Sequence, residues 1–285
     1  MSALRGWPVT AALVLLAGCG QSEKLDDVNA VRTWANDVSP VAVFVRVYDP
    51  VAQSYAQPDV YKDPACPAIT DDGTTLVITG ECTDSTGVRW FGSANIARSG
   101  ASDRALTLDG YGHSSDLGDT RTTGTFTITE TAADLHSFAA HLVVEGGITT
   151  TVEYAGSVSG FYGDDVTVWN GHGTVARSGM VEPTGEVAAT TVDQRLDSAC
   201  SGEAVSGTTT ITAGGHTVVV TYDGATDCDE QHSARWTFDG ADRGLVGGVQ
   251  CAAAPGQTPR SMALLGVVAL ALTLAVARRR ARRRV

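Results

Sequence analysis

Two stretches of this chain repeat each other residue by residue. WFGSANIARSG (90–100) and WNGHGTVARSG (169–179) share tryptophan, glycine, an aliphatic residue and then AlaArgSerGly at the same offsets, 79 residues apart. Arg89-Trp90 is echoed by Arg235-Trp236. Cys82 precedes Trp90 by eight residues, Cys228 precedes Trp236 by eight, and Phe161 takes that place before Trp169. GTTLVIT (73–79), GTFTIT (124–129) and GTTTIT (207–212) open three units, and VEYAG (152–156) matches VTYDG (220–224). The units run over about 66–100, 124–179 and 200–240, with an extra hairpin in the second. Such repetition implies units that bury their faces on one another.

Each unit reads as strands. His216, Val218, Val220 and Tyr222 share one face, and Thr217, Val219, Thr221 and Asp223 the other. Thr, Val, Ile and Tyr suit a pleated, half-buried surface. Gly146-Gly147 and Ala213-Gly214-Gly215 read as hairpin turns. The expected fold is all-β, built from antiparallel hairpin repeats with both sheet faces part polar. Elongated sheet, sandwich and barrel all remain open. The tryptophans read as core anchors rather than as a ligand platform. Before the β region, Val28, Val31, Trp34 and Val38 recur at helical spacing, with Asp26 and Asp27 suited to a first turn. They predict a short helix that ends before Pro40. VAVFVRVY (41–48) fits a strand or a continuation of the helix equally well.

The two ends carry addresses. Residues 1–18 hold a short basic start, an apolar run over 9–17 and small residues before Cys19. Leu16-Ala17-Gly18-Cys19 resembles the lipobox of bacterial lipoproteins, which implies cleavage before Cys19 and acylation of it. At the other end Met262 to Ala277 carries no charge, and six arginines follow. An apolar segment of that length, extended by snorkelling arginines, predicts a membrane helix over 262–278 and a cytoplasmic basic tail over 279–285. Cys251, the spacer AAAPGQTP (252–259), the helix and the arginines together resemble bacterial C-terminal sorting tails, most nearly the MYXO-CTERM type. The single cysteine and long spacer depart from that pattern. The resemblance implies a tail that is read and removed by a membrane protease, with Cys251 as the sorting cysteine; the alternative is a permanent tail anchor. The organisation expected is therefore a signal peptide (1–18), a helix and linker region (19–65), a β domain (66–250), a linker (251–261), and the helix and tail.

Charge narrows the partners. All 32 acidic residues lie between positions 20 and 250 with 12 of the 20 basic ones, a net −20 for that part. Such a surface repels nucleic acid and anionic head groups. The partners expected are membrane lipid, through Cys19 and the C-terminal helix, and the export and sorting proteases. The location expected is the bacterial cell envelope, at the outer membrane or cell surface, with the periplasmic face of the inner membrane as the alternative. Of six cysteines, Cys66, Cys82, Cys200 and Cys228 remain for an oxidising compartment. Four cysteines allow three pairings; Cys66–Cys82 and Cys200–Cys228 keep each pair inside one repeat unit.

The chain lacks the common catalytic signatures. It contains no GxSxG, HExxH, Walker A or strand-linked GxGxxG. His113, His136, His141, His172, His216 and His232 are scattered. Asp71-Asp72 and Asp164-Asp165 are weak candidates for calcium, without the spacing of a known loop, and read first as turn residues. The expected function is a non-enzymatic structural, adhesive or binding module. The alternative is a cell-surface hydrolase or carbohydrate-active enzyme whose site is assembled from unlinked residues.

Overall fold

The computed structural model of the chain describes residues 23–40, 43, 65–99, 103–115, 118–160, 166–197, 204–222 and 234–249. Among them one helix, α1 (Val28–Val38), precedes fourteen strands. The first are β1 (Ala68–Asp71), β2 (Thr75–Thr79), β3 (Cys82–Thr83), β4 (Arg89–Ser99) and β5 (Asp103–Ser115). The longest lie in the middle: β6 (Gly118–Ala132), β7 (Leu135–Glu145), β8 (Ile148–Ser159), β9 (Val166–Gly179) and β10 (Gly185–Asp197). The chain closes the sheet with β11 (Ala204–Ala213), β12 (His216–Thr221), β13 (Ala234–Phe238) and β14 (Ala241–Val246).

All fourteen form one antiparallel meander. Each strand pairs with the next in the chain, except that β2 and β3 both pair with β4. Thr79 lies opposite Ser93 and Cys82 opposite Trp90, so β2 and β3 are two halves of one line broken at Gly80-Glu81. Of the arrangements left open by the sequence, the described residues form a single open sheet, with β1 and β14 as its edges. Both edges are short, and β14 carries Asp242 and Arg243. Short, charged edges discourage pairing with a second chain. The two tryptophan stretches lie on β4 and β9, five strands apart in the meander, and so run in opposite directions.

The alternation predicted from the sequence separates the faces more sharply than expected. Leu106 and Leu108 of β5, Phe126 and Ile128 of β6, and Phe138, Ala140 and Leu142 of β7 are buried in one cluster with Val152 and Tyr154 of β8. Thr107, Thr125, Thr127, His141 and Glu153, from the alternate positions, are exposed. The many threonines thus gather outside, and the inner face is apolar almost throughout. Trp90, Trp169 and Trp236 all lie in the core. Gly146-Gly147 and Gly214-Gly215 form the β7–β8 and β11–β12 turns.

Helix α1 packs on the inner face near β9, β11 and β14. Asp27 caps it, accepting hydrogen bonds from the N–H groups of Asn29 and Ala30 at 2.9 Å each. Val31, Trp34, Ala35 and Val38 face the sheet and are fully buried. The Trp34 indole donates to the Glu23 carbonyl at 2.9 Å. Asp37 forms an ion pair with Arg177 of β9, whose guanidinium lies over the Trp34 ring. A side chain at Gly171 would press into the Tyr154 ring and come within 3.1 Å of Pro40, so glycine there leaves room for the end of the helical segment. Pro40 is itself helical, and the Val43 N–H donates to the Ser39 carbonyl; the rest of the 41–48 stretch lies outside the described residues.

Cys66 and Cys82 form a disulfide with Cα atoms 5.8 Å apart. It ties the approach to edge strand β1 to β3. Closing a loop with a sequence separation of 16 stabilises by about 3 kcal/mol in the chain-entropy model. The Cys66→Ala/Cys82→Ala variant is expected to lose about that much in urea titration, with a steeper transition because the freed denatured chain exposes more surface. A variant as stable as the parent would show that the bridge constrains nothing. Cys200 and Cys228 lie outside the described residues. So do both terminal signals, Cys19 and Cys251 included. No described helix is long and apolar enough to cross a membrane.

Candidate functional site

Thr122, His136 and Thr150 are buried on the inner face, and among the described residues a connected polar seam crosses it as well. Thr191 of β10 and Thr209 of β11 are cross-strand partners, and their hydroxyls are 3.0 Å apart. The Tyr154 hydroxyl donates to Thr191 Oγ1 at 3.4 Å. The Tyr222 hydroxyl sits 3.1 Å from Thr209 Oγ1. Beyond a bulge in β10, Ser39 at the end of α1 donates to Gln194 Oε1 at 3.1 Å. All six side chains are buried. Buried hydroxyls and amides are retained at low cost only when they bond one another, and here the chain Tyr154–Thr191–Thr209–Tyr222 does so across strands β8 to β12.

The seam is poorly suited to proton transfer at neutral pH. Burial pushes the Tyr154 hydroxyl up to about 12, against a smaller opposing effect of its bond to Thr191. It therefore stays a protonated donor. A folded pKa above the unfolded value of 10.0 adds stability that is complete below pH 10 and lost as pH rises toward 12. Alkaline unfolding of the parent should steepen across that window. Tyr154→Phe should flatten it while lowering stability near neutrality by about 1 kcal/mol, the usual net worth of a hydrogen bond. Identical alkaline curves for parent and variant would remove Tyr154 from this account.

A second buried polar group supports the first tryptophan. Asp84 accepts from the Trp90 indole at 3.1 Å and from Thr86 N–H, Thr86 hydroxyl and Val88 N–H. Burial works to raise its carboxyl, but those hydrogen bonds prevail and hold it below the usual range. Trp169 finds a different partner, the Thr167 hydroxyl at 2.9 Å. Conserving the residue type across the repeat therefore did not conserve its polar contact.

The residues singled out by the sequence lie apart. Asp71 accepts from Gly73 N–H and pairs with Arg98 at 2.8 Å. Asp72 accepts from the backbone of Thr74 and Thr75 and from the Thr74 hydroxyl, which lowers its carboxyl pKa. Both aspartates are thus occupied as turn residues. Asp164 and Asp165 lie outside the described residues. Among the described residues no three His, Cys, Asp or Glu side chains converge as a metal would require. His141 pairs with Glu153, and His216 with Asp239 at 2.8 Å, both exposed on separate strands. His113 lies beside the Trp90 ring, and His136 is buried on β7. His172 is exposed on β9, and His232 lies outside the described residues.

Only one member of the seam departs from simple alternation: Thr191 continues the inward series of Val187 and Ala189, whereas a bulge turns Gln194 inward. In TTVDQ (190–194) strict alternation would put Thr190, Val192 and Gln194 on one face. Asp193 adopts a left-handed φ of 50°, and the register shifts between Thr191 and Gln194. Val192 is left exposed, and Thr191 and Gln194 both turn inward. The chain matches no family model, no curated protein sequence and no solved structure.

Proposed function

We propose that the chain is an exported lipoprotein, held at the cell envelope through Cys19, whose β sheet serves as a non-enzymatic structural, adhesive or binding module. One observation carries the second half of this reading. The inner face of the sheet, where a cleft would lie, is filled by α1, by the tryptophan-rich core and by a hydrogen-bonded polar seam. What remains for partners is the outer face, with its exposed threonines and paired charges. A rigid sheet with a polar exterior presents backbone-fixed side chains at regular spacing, which suits recognition or packing against a neighbour.

The address rests on Leu16-Ala17-Gly18-Cys19 and on the C-terminal Cys251, apolar segment and arginines. A temporary C-terminal helix removes the difficulty of tying one domain to two membranes. Mass spectrometry of the terminal peptides, on protein isolated from the producing cell's membranes, tests it. An acylated Cys19 with an end near Cys251 is expected. A peptide ending at Val285 together with an unmodified Cys19 would make it a tail-anchored inner-membrane protein. Turnover of a polysaccharide or ester by the purified chain, lost on Thr191→Val without unfolding, would overturn the non-enzymatic reading.

A further inference from the structure

We infer that the β9–β10 turn, through Met180 and Val181, is a membrane-contact site that seats this end of the sheet on the phospholipid surface. The inference rests on lipidation of Cys19. Met180 is 100 % exposed and Val181 57 %. They are adjacent on one turn, whereas the other large exposed apolar residues of the described chain, such as Ile69, Leu135, Val192 and Leu245, are dispersed singly. Single exposed apolar side chains are ordinary; an adjacent pair at the tip of a long hairpin is a contact feature.

The occupant follows from where the chain goes. Lys24 pairs with Glu182 of the turn at 3.0 Å. Glu23 lies at the other end of the same turn, with its carboxylate packed against Gly185. Only Gly20, Gln21 and Ser22 separate Glu23 from Cys19. Four residue steps reach at most about 14 Å when fully extended. A lipid on Cys19 therefore brings the bilayer surface to within that distance of the turn. Val28, the first residue of α1, is also exposed near this end. Arg89 and Arg121 lie at the same end of the sheet, their guanidinium groups 4.9 and 4.1 Å from the Phe91 ring centre. Glu145 stands opposite Arg121 on the β6–β7 ladder, and Asp119 and Asp239 lie at the same end, so the apolar pair and the lipid, not head-group charge, carry the contact on this acidic surface. Acylation at Cys19 holds the protein at the bilayer, and the apolar turn fixes how the sheet lies on it.

The test uses the full lipidated chain in phosphatidylethanolamine–phosphatidylglycerol vesicles that carry nitroxide-labelled acyl chains. Met180→Cys is labelled with a fluorophore, with Leu135→Cys at the opposite end of the sheet as control. The signal of the identically treated parent is subtracted. Loss of emission at position 180, with none at 135, is the expected result. Equal emission at the two positions, with Cys19 shown to be acylated in the same sample, overturns the membrane contact and leaves the lipoprotein reading intact. An unmodified Cys19 overturns both.

Discussion

Gly124→Val is expected to unfold the sheet at its centre. Gly124 lies on β6 between Leu108 of β5 and Leu142 of β7. Its φ is 134°, and a side chain there would sit on the carbonyl oxygen of His141 and 3.0 Å from its carbon. That carbonyl is main chain, fixed by the β6–β7 ladder, and cannot swing aside as a side chain would. The β5 partner is no more forgiving, because β5 bulges between Leu108 and Tyr111 beside it. A β-branched residue meets a backbone conformation it rarely adopts and a collision that only strand separation relieves. We expect a loss of about 4 kcal/mol or more, the range reserved for strain and broken ladders. Thr125→Val, one residue on and exposed on the outer face, should change stability by less than about 0.5 kcal/mol. Urea titrations followed by circular dichroism compare the two. A Gly124→Val protein within about 1 kcal/mol of the parent would show that the sheet bends freely at this point.

The elements most legible in the sequence were those governed by local chemistry. Val28, Val31, Trp34 and Val38 predicted the buried stripe of α1; the last three are fully buried, whereas Val28, at the first helical position, is exposed. Asp27 proved to be the cap rather than a first-turn residue, a shift of one position that helical spacing does not resolve. Alternation in HTVVVT (216–221) predicted β12, and glycine pairs predicted two turns. The Cys66–Cys82 bridge followed from its position within one unit. What stayed illegible depends on pairing across long distances. No local pattern distinguishes one open meander from a sandwich, because both need the same hairpins. Arg98 and Arg177 occupy matching positions in the repeated motif, yet Arg98 pairs with Asp71 near the edge strand and Arg177 with Asp37 of the helix. The seam was hidden for a third reason: a bulge in β10 turns Gln194 inward against the alternation, and the other members meet only across strands. Tyr154, Thr191, Thr209 and Tyr222 are common strand residues, and only their register brings their hydroxyls together.

Trp34→Ala is expected to cost about 3–5 kcal/mol, the usual range for emptying a buried aromatic site. The site is hard to refill. Trp34 sits on a capped helix, and that helix is held at both ends. Its indole bonds the Glu23 carbonyl, and Ser39 bonds Gln194 in the seam. Collapse around the cavity is therefore resisted, which places the loss toward the upper part of the range. The Arg177 guanidinium also loses the aromatic face beside it, while remaining paired with Asp37. Trp34→Phe keeps most of the volume and loses the bond to Glu23, so about 1–2 kcal/mol is expected. The two variants separate two roles. If Trp34 serves only as filling, phenylalanine restores nearly everything. If it also pins Glu23, both variants should make the 23–27 segment more sensitive to protease, because buried Leu25 and the exposed, weak Lys24–Glu182 pair are then left to hold it. Rapid cleavage before α1 in Trp34→Phe, at nearly parental stability, would establish the indole as the link between the core and the segment that leads to Cys19. Parental resistance in both variants would assign that link elsewhere.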